Sequence, residues 1–423
     1  MTGTSPRGRL TARFAGRAGR PALTVCAALG AFAIVSSGLA PSAAAAGVQS
    51  KQWYLDAMDA DAMWKVSTGK GVKVAVIDTG VNPDTSSLKG QVLADEVPKS
   101  VAYHATQDFD GHGTSMAEII AGTGADGGLR GLAPGAKIVP YRIKIEGLKG
   151  EAETTKTPDA AQAIRAAADT DAKIINMSFG VPYIYPDEQE AIKYAHSKGK
   201  LMFASVGNNA ASKNDIGYPA AYPYVVGVSA ADKTGTVGKF SEHGDSVDLA
   251  APGLDVPTYC DNTFRSYCDG EGTSMASAIA SASAALIWSA HPDWTANQVL
   301  RTLMDTAGRD WPRDTPSNYL GYGLVRPRKV LENSSINPGS ATSDPLSYAN
   351  VGVAESDAST SPSPSASTSS QAPKDTSGGA TSAAGSSSES SDNTTMWVAL
   401  GAAAAVLVIG GVAFAVIRSR RRA

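Results

Sequence analysis

The sequence predicts an α/β fold with a mostly parallel central sheet and helices on both faces. Two observations point there. First, between residues 71 and 335 short apolar runs alternate with longer helical patterns, which is how a parallel sheet with crossover helices reads. Second, the chain has 423 residues, enough for one core of roughly 250–300 residues plus appendages. The folded part is bounded by Ala- and Ser-rich ends, so the whole chain is not one folded unit.

The elements follow in order. Val72 to Asp78 is a buried strand, and 112–121 a helix whose apolar positions are Met116, Ile119 and Ile120. Lys137 to Ile143 is a strand weakened by Pro140. A helix over 158–170 precedes the strand Lys173 to Ser178, and a helix over 187–199 precedes the strand Leu201 to Val206. Tyr224 to Val228 is a further strand, and helices over 274–290 and 295–307 close the domain. Residues 47–70 are an N-terminal extension, expected to wrap the domain surface. In sheets of this kind functional groups gather at the carboxyl ends of strands.

Charge is segregated. Residues 1–46 hold five arginines and no acid, and residues 418–423 hold four more arginines. The remainder carries 28 basic and 40 acidic residues. An acidic middle argues against a nucleic-acid partner. The basic ends fit a membrane instead. Basic residues 1–20, the apolar run Pro21 to Ala40 and Ala43 to Ala46 form a secretory signal over 1–46, with cleavage expected near Ala45 or Ala46. No adjacent arginine pair marks twin-arginine export, and Leu23-Thr24-Val25-Cys26 is a poor lipid-attachment context. Met396 to Ile417 is 22 residues without a charge. At about 1.5 Å per residue it reaches about 33 Å, enough to cross a bilayer. The basic tail 418–423 then stays cytoplasmic and the folded domain lies outside the cell. Residues 336–395, rich in Ser, Thr, Pro and Ala, bury too little apolar surface to order and read as a disordered stalk.

With Cys26 removed in the signal, Cys260 and Cys268 remain, outside the cell and with seven residues between them. A disulfide is expected there. A zinc site is not, since no histidine pair is spaced to join them.

Three motifs carry chemistry. Asp78-Thr79-Gly80 closes the first strand, Gly111-His112-Gly113-Thr114 opens one helix, and Gly272-Thr273-Ser274-Met275-Ala276 opens another. A hydroxyl is a weak nucleophile and needs a base. An imidazole takes its proton, and a carboxylate holds the imidazole tautomer and stabilises imidazolium. Asp78, His112 and Ser274 are those parts, and a serine at a helix N-terminus has backbone N–H donors and a favourable dipole beside it. Asn208, after Gly207 at the end of a strand, can donate to an oxyanion. Each motif alone is weak, and their joint occurrence in order is the signal. Ser115, in the repeated Gly113-Thr114-Ser115-Met116-Ala117, is a rival nucleophile that lacks its own free helix terminus. His104, His196, His243 and His291 stand in no metal-ligand spacing. The glycines from 122 to 128 lack the Lys-Ser/Thr of a phosphate loop, so nucleotide binding is not expected.

From about residue 70 to 331 the sequence resembles the subtilisin-like serine proteases. The resemblance implies the subtilisin-like three-layer fold, the triad Asp78, His112 and Ser274, and Asn208 in the oxyanion hole. Asn176 to Gly180 is similar to the family's substrate-pairing strand, which implies that Ser178, Phe179 and Gly180 bind substrate. Gly217 to Pro223 is similar to the segment beside the primary specificity pocket, which implies that Tyr218 and Pro219, together with Gly207, bind substrate. Ala251-Pro252-Gly253 and Gly321-Tyr322-Gly323 fit the family too. The signal, stalk, anchor and basic tail together resemble the mycosins, membrane-anchored subtilases of type VII secretion. The implied function is a membrane-anchored extracellular serine endopeptidase acting on protein or peptide substrates, with the type VII machinery as a partner. The rival is a catalytically silent scaffold of a secretion complex. No cofactor is required. Calcium, common in subtilases, is assignable to no residues. Two departures stand out: Ala278 replaces the family proline, and Ile279 the histidine after it. Only some 25 residues separate the signal from the first strand, too few for a folded pro-domain.

Overall fold

The computed structural model describes residues 47–347. The expected signal, the transmembrane segment, the basic tail and the stalk beyond 347 lie outside the described residues. Six strands form a parallel sheet: β1 (Lys73–Asp78), β2 (Lys137–Arg142), β3 (Ile174–Met177), β4 (Leu201–Ser205), β5 (Val225–Ala231) and β6 (Leu249–Pro252), in the order β2-β1-β3-β4-β5-β6. Pro140 is tolerated because β2 is the edge strand, where a missing N–H leaves no ladder bond unmade. β6, with the sequence Leu-Ala-Ala-Pro, is a strand that the sequence pattern did not announce.

Helices α1 (Trp53–Ala57), α2 (Ala60–Trp64), α3 (His112–Ala121), α4 (Glu151–Lys156), α5 (Ala160–Ala168), α6 (Pro186–Ser197), α7 (Thr273–Ala290), α8 (Ala296–Thr306) and α9 (Pro327–Leu331) complete the main elements. Alternate residues of β1 face opposite layers. Val74 and Val76 pack in the core formed with α3, α7 and α8. Ala75 and Ile77 pack in the core formed with α5 and α6. This is the three-layer architecture expected. Capping boxes set two helix starts, Asp159 with Gln162 for α5 and Thr295 with Gln298 for α8.

α7 is the central helix. Its Ala and Ser side chains let it lie close against the sheet, and two of its serines meet a polar strand residue. Ser277 and Ser281, one turn apart, both donate to Asn176 Oδ1 at 3.1 Å. α7 is long and apolar enough to cross a membrane, but it is buried in the core. It runs unbroken through Ala278, where the family proline would stand.

Two expectations about the domain's edges are corrected. Residues 47–70 do not merely wrap the surface: Tyr54 and Met63 are fully buried, and Trp53 and Trp64 donate to the Leu254 and Leu132 carbonyls at 2.9 Å. The domain also extends past 335. Leu346 is buried in the core, and the Gly339 and Ala341 carbonyls accept from Gln298 and Thr295 on α8. The stalk's first twelve residues are therefore fastened to the domain by one buried leucine and two backbone carbonyls, although most of them stay exposed.

β7 (Val256–Tyr259) and β8 (Tyr267–Gly270) form an antiparallel hairpin just before α7. Cys260 and Cys268 are joined by a disulfide at its turn end, closing the 260–268 loop, with Cα atoms 5.0 Å apart.

Candidate active site

The carboxyl ends of β1, β3 and β4 meet the N-termini of α3 and α7. Asp78 is the last residue of β1, and its side chain is buried. Its Oδ1 accepts from His112 Nδ1 at 2.7 Å and from the Thr79 backbone N–H at 2.7 Å. Its Oδ2 is buried and has no partner. His112 opens α3, with about a third of its side chain exposed. Gly113 is required here, since a Cβ would strike the Gly80 carbonyl and press on Asp78.

Burial pulls the His112 pKa down. The charge and hydrogen bond of Asp78, with Asp108 and Asp110 beyond, outweigh that and raise it from 6.5 to about 9. The hydrogen bond from Nδ1 to Asp78 leaves Nε2 as the ring's reactive edge.

Ser274 is the second residue of α7 and is 8% exposed. Together with His112 and Asn208 it lines a cleft of about 290 Å³ that the hairpin flanks through Thr258 and Tyr259. Its Oγ donates to the Ser178 carbonyl at 3.1 Å, so the hydroxyl rests on the strand and not on the imidazole. Ser178 Oγ returns a bond to the Ser274 carbonyl at 3.0 Å. A seryl hydroxyl is a free rotor, so this bond can be exchanged for another partner in the cleft.

The loop after β4 is held on three sides. Gly207 N–H donates to Thr273 Oγ1 at 3.2 Å. Asn208 Oδ1 accepts from Thr273 N at 2.9 Å and Oγ1 at 3.0 Å. Asn209 N–H donates to Glu242 Oε1 at 3.2 Å. With its oxygen occupied, Asn208 has its amide NH2 end left to donate from the cleft wall. Gly207 sits at φ +116°, and any Cβ would run into the Glu242 carboxylate.

The other expected substrate-binding residues lie alongside. Val181 pairs with Tyr218 through two backbone hydrogen bonds of 2.9 and 2.8 Å, so Ser178, Phe179 and Gly180 run next to Tyr218 and Pro219. The Tyr218–Pro219 bond is cis. Tyr218 and Pro219 stand opposite Val181 and do not line the space between His112 and Ser274.

Sequence reasoning missed the supports. Asp108 takes Gly111 N, Thr114 N and the hydroxyls of Thr79 and Thr114, and so fixes the start of α3. Its signal was an acid four residues before the histidine. Glu242, which props the 207–209 loop, and Asn176, which bonds α7, left no local signal. Among the described residues no group of three or more His, Cys, Asp or Glu side chains gathers as a metal site, and the calcium expectation attaches to no ligand set.

The profile of the subtilase family matches residues 69–323. The chain belongs to the subtilase family. It is 34% identical to subtilisin BL of Lederbergia lenta over 281 residues, covering 66% of this chain and 97% of that one. It is 33% identical to the minor extracellular protease Epr of Bacillus subtilis, over 67% of this chain and 42% of that one. Among solved structures it is similar to the MycP3 protease from the type VII (ESX-3) secretion system, with TM-score 0.53 and 29% identity over 66% of this chain and 87% of that one. It is also similar to MycP1 from Mycobacterium smegmatis, with TM-score 0.54 and 26% identity over 69% of this chain and 86% of that one. This subtilase is a subtilisin-like serine endopeptidase, and the solved structures it is similar to include mycosins.

Proposed function

We propose that this subtilase is an extracellular, membrane-anchored endopeptidase that processes secreted proteins through Asp78, His112 and Ser274. The observation that carries the reading is the 2.7 Å bond from His112 to buried Asp78, on a ring that shares one cleft with Ser274. Ser274 Oγ attacks the scissile carbonyl while His112 Nε2 takes its proton. Asn208 and the Ser274 backbone N–H hold the oxyanion. His112 then gives the proton to the leaving amine, and water releases the acyl group by the same route in reverse. Asp78 keeps Nδ1 protonated and offsets the imidazolium charge.

The secretion role is supported by the similarity to MycP3, a protease from the type VII (ESX-3) secretion system. The signal, stalk and charge-free segment 396–417 support the anchor. A second reading, a silent scaffold, is favoured by one observation: Ser274 Oγ is engaged with Ser178 and not with His112.

Fluorophosphonate labelling of the full-length chain separates the two. Labelling that is lost in Ser274→Ala supports the enzyme, and no labelling of the wild type supports the scaffold. The processing role is tested by comparing the termini of secreted proteins with and without Ser274→Ala. Identical termini would overturn it.

A further inference from the structure

A cavity of about 370 Å³ lies between the end of β2, the start of α5, the segment Phe179–Val181 and the start of α6. Its walls include Ile143, Ile145, Ala160, Phe179 and Val181, all apolar. Three carboxylates also line it, and one of them is buried. Glu188, in the first turn of α6, is 4% exposed, and its Oε1 is buried without a hydrogen-bond partner. A buried carboxylate left in that state is costly unless a cation or donor comes to it. The dipole of α6 favours its charge but supplies no partner.

The cavity's position ties it to the cleft. Phe179 follows Ser178, whose carbonyl holds the Ser274 hydroxyl. Both backbone groups of Val181 are spent on Tyr218, so those of exposed Gly180 point to the opposite edge of the segment. Phe179 and Val181, two residues apart, share the face that lines the cavity. An extended peptide laid along Gly180 would set a side chain over that face. At about 3.3 Å per residue, Val181 is about three residues from the Ser274 contact.

Resting on the protease reading above, we propose that this cavity is a specificity pocket for a lysine or arginine side chain of the substrate, about three residues from the scissile bond, and that Glu188 recognises its cationic head. The methylene stem of such a side chain suits the apolar walls, and its head gains a charge-assisted bond at Glu188. The surrounding charge agrees. Asp159 from the start of α5 and Asp187 from α6 also line the cavity, against a single cation, Lys144 after β2, which is exposed. The phenol of Tyr222 and the chain at Tyr185 complete the groups beside Glu188. Burial, then repulsion from Asp159, raise the Glu188 carboxyl from 4.5 to about 7. It therefore gains charge as the pH rises through neutrality, and the preference for a cation grows with it.

The test is a one-pot competition on the full-length protein. Pairs of peptides differ only by lysine or leucine at one position, scanned over four residues on each side of the cleaved bond. The ratio of kcat/KM within a pair cancels the ionisation of His112. At one position lysine should win at least tenfold at pH 8 and lose most of that advantage below pH 6. Glu188→Gln, nearly isosteric, should bring the ratio near one at every pH. It should leave hydrolysis of a short reporter ester, too short to reach the cavity, within twofold of wild type, which also shows that the variant is folded. Leucine preference at every position, or a lysine preference that Glu188→Gln leaves unchanged, overturns the proposal while reporter hydrolysis keeps the protease reading standing. Loss of reporter hydrolysis in the wild type overturns both.

Discussion

The pentapeptide Gly-Thr-Ser-Met-Ala occurs twice, at 113–117 and at 272–276, and the fold puts the two copies to different uses. Both stand at helix starts beside the same cleft. In the first copy the helix begins at His112, so Ser115 is its fourth residue. There its Oγ donates to the Gly111 carbonyl at 2.8 Å and accepts from Tyr259 N–H at 3.0 Å, with 1% of the residue exposed. In the second copy the helix begins at Thr273, so Ser274 is its second residue and sits among free backbone N–H groups. Thr114 is spent on Asp108, and Thr273 on Asn208. The same five residues thus build an anchor point for the hairpin in one place and a nucleophile's seat in the other. Position relative to the helix start, not the motif, decides which.

The comparison can be broken most forcefully at the serines. Ser274→Ala should remove peptidase activity by about 10⁶-fold in kcat, the scale known from subtilisin, a relative of this chain. Ser115→Ala should leave kcat within a few-fold and instead lower stability by about 1–3 kcal/mol, since it strips Tyr259 N–H of its acceptor. Denaturant melts beside kinetics read both. Loss of activity in Ser115→Ala with Ser274→Ala still active would reverse the assignment.

Asn208 sharpens the second copy. Its amide oxygen is held by Thr273, so Asn208→Leu removes the donor and should cut kcat by about 10²–10³ with KM little changed, the range known for one lost oxyanion donor in subtilisin. An equal change in KM would point to ground-state binding instead.

A smaller effect concerns the first copy's neighbour His112. Its pKa is raised, so the protonated, inactive form persists through neutral pH, and activity should climb as pH rises toward about 9. The stabilising ion pair with Asp78 follows the opposite course, complete below 6.5 and lost as pH passes about 9. Asp110 adds to the upward shift, so Asp110→Asn should move the acid limb of the kcat/KM profile to lower pH. A limb that stays put would show that Asp110 does not act on the ring. Least of all, Ala278→Pro should change acylation modestly by altering the regular helix behind Ser274, and unchanged kinetics would show that the substitution is silent.

Much of this was legible along the chain because local chemistry writes it locally. Five of the six sheet strands read as apolar runs, and Asp78, His112 and Ser274 each carried flanking glycines and a helix or strand boundary. What escaped was long-range. β6 is short and ends in proline, so neither length nor pattern marked it. Asn176 acts through Ser277 and Ser281, and Glu242 through the backbone of Asn209, contacts between residues far apart in sequence. The packing of 336–347 depends on where Leu346 lands, which composition does not reveal.

The central claim is that Ser274, and not its twin Ser115, is the nucleophile activated by His112. Fluorophosphonate labelling of the full-length protein followed by peptide mapping tests it directly. The label is predicted on the peptide carrying Ser274, and it should vanish in His112→Ala. A label on Ser115, or labelling of Ser274 that persists without His112, would contradict the account.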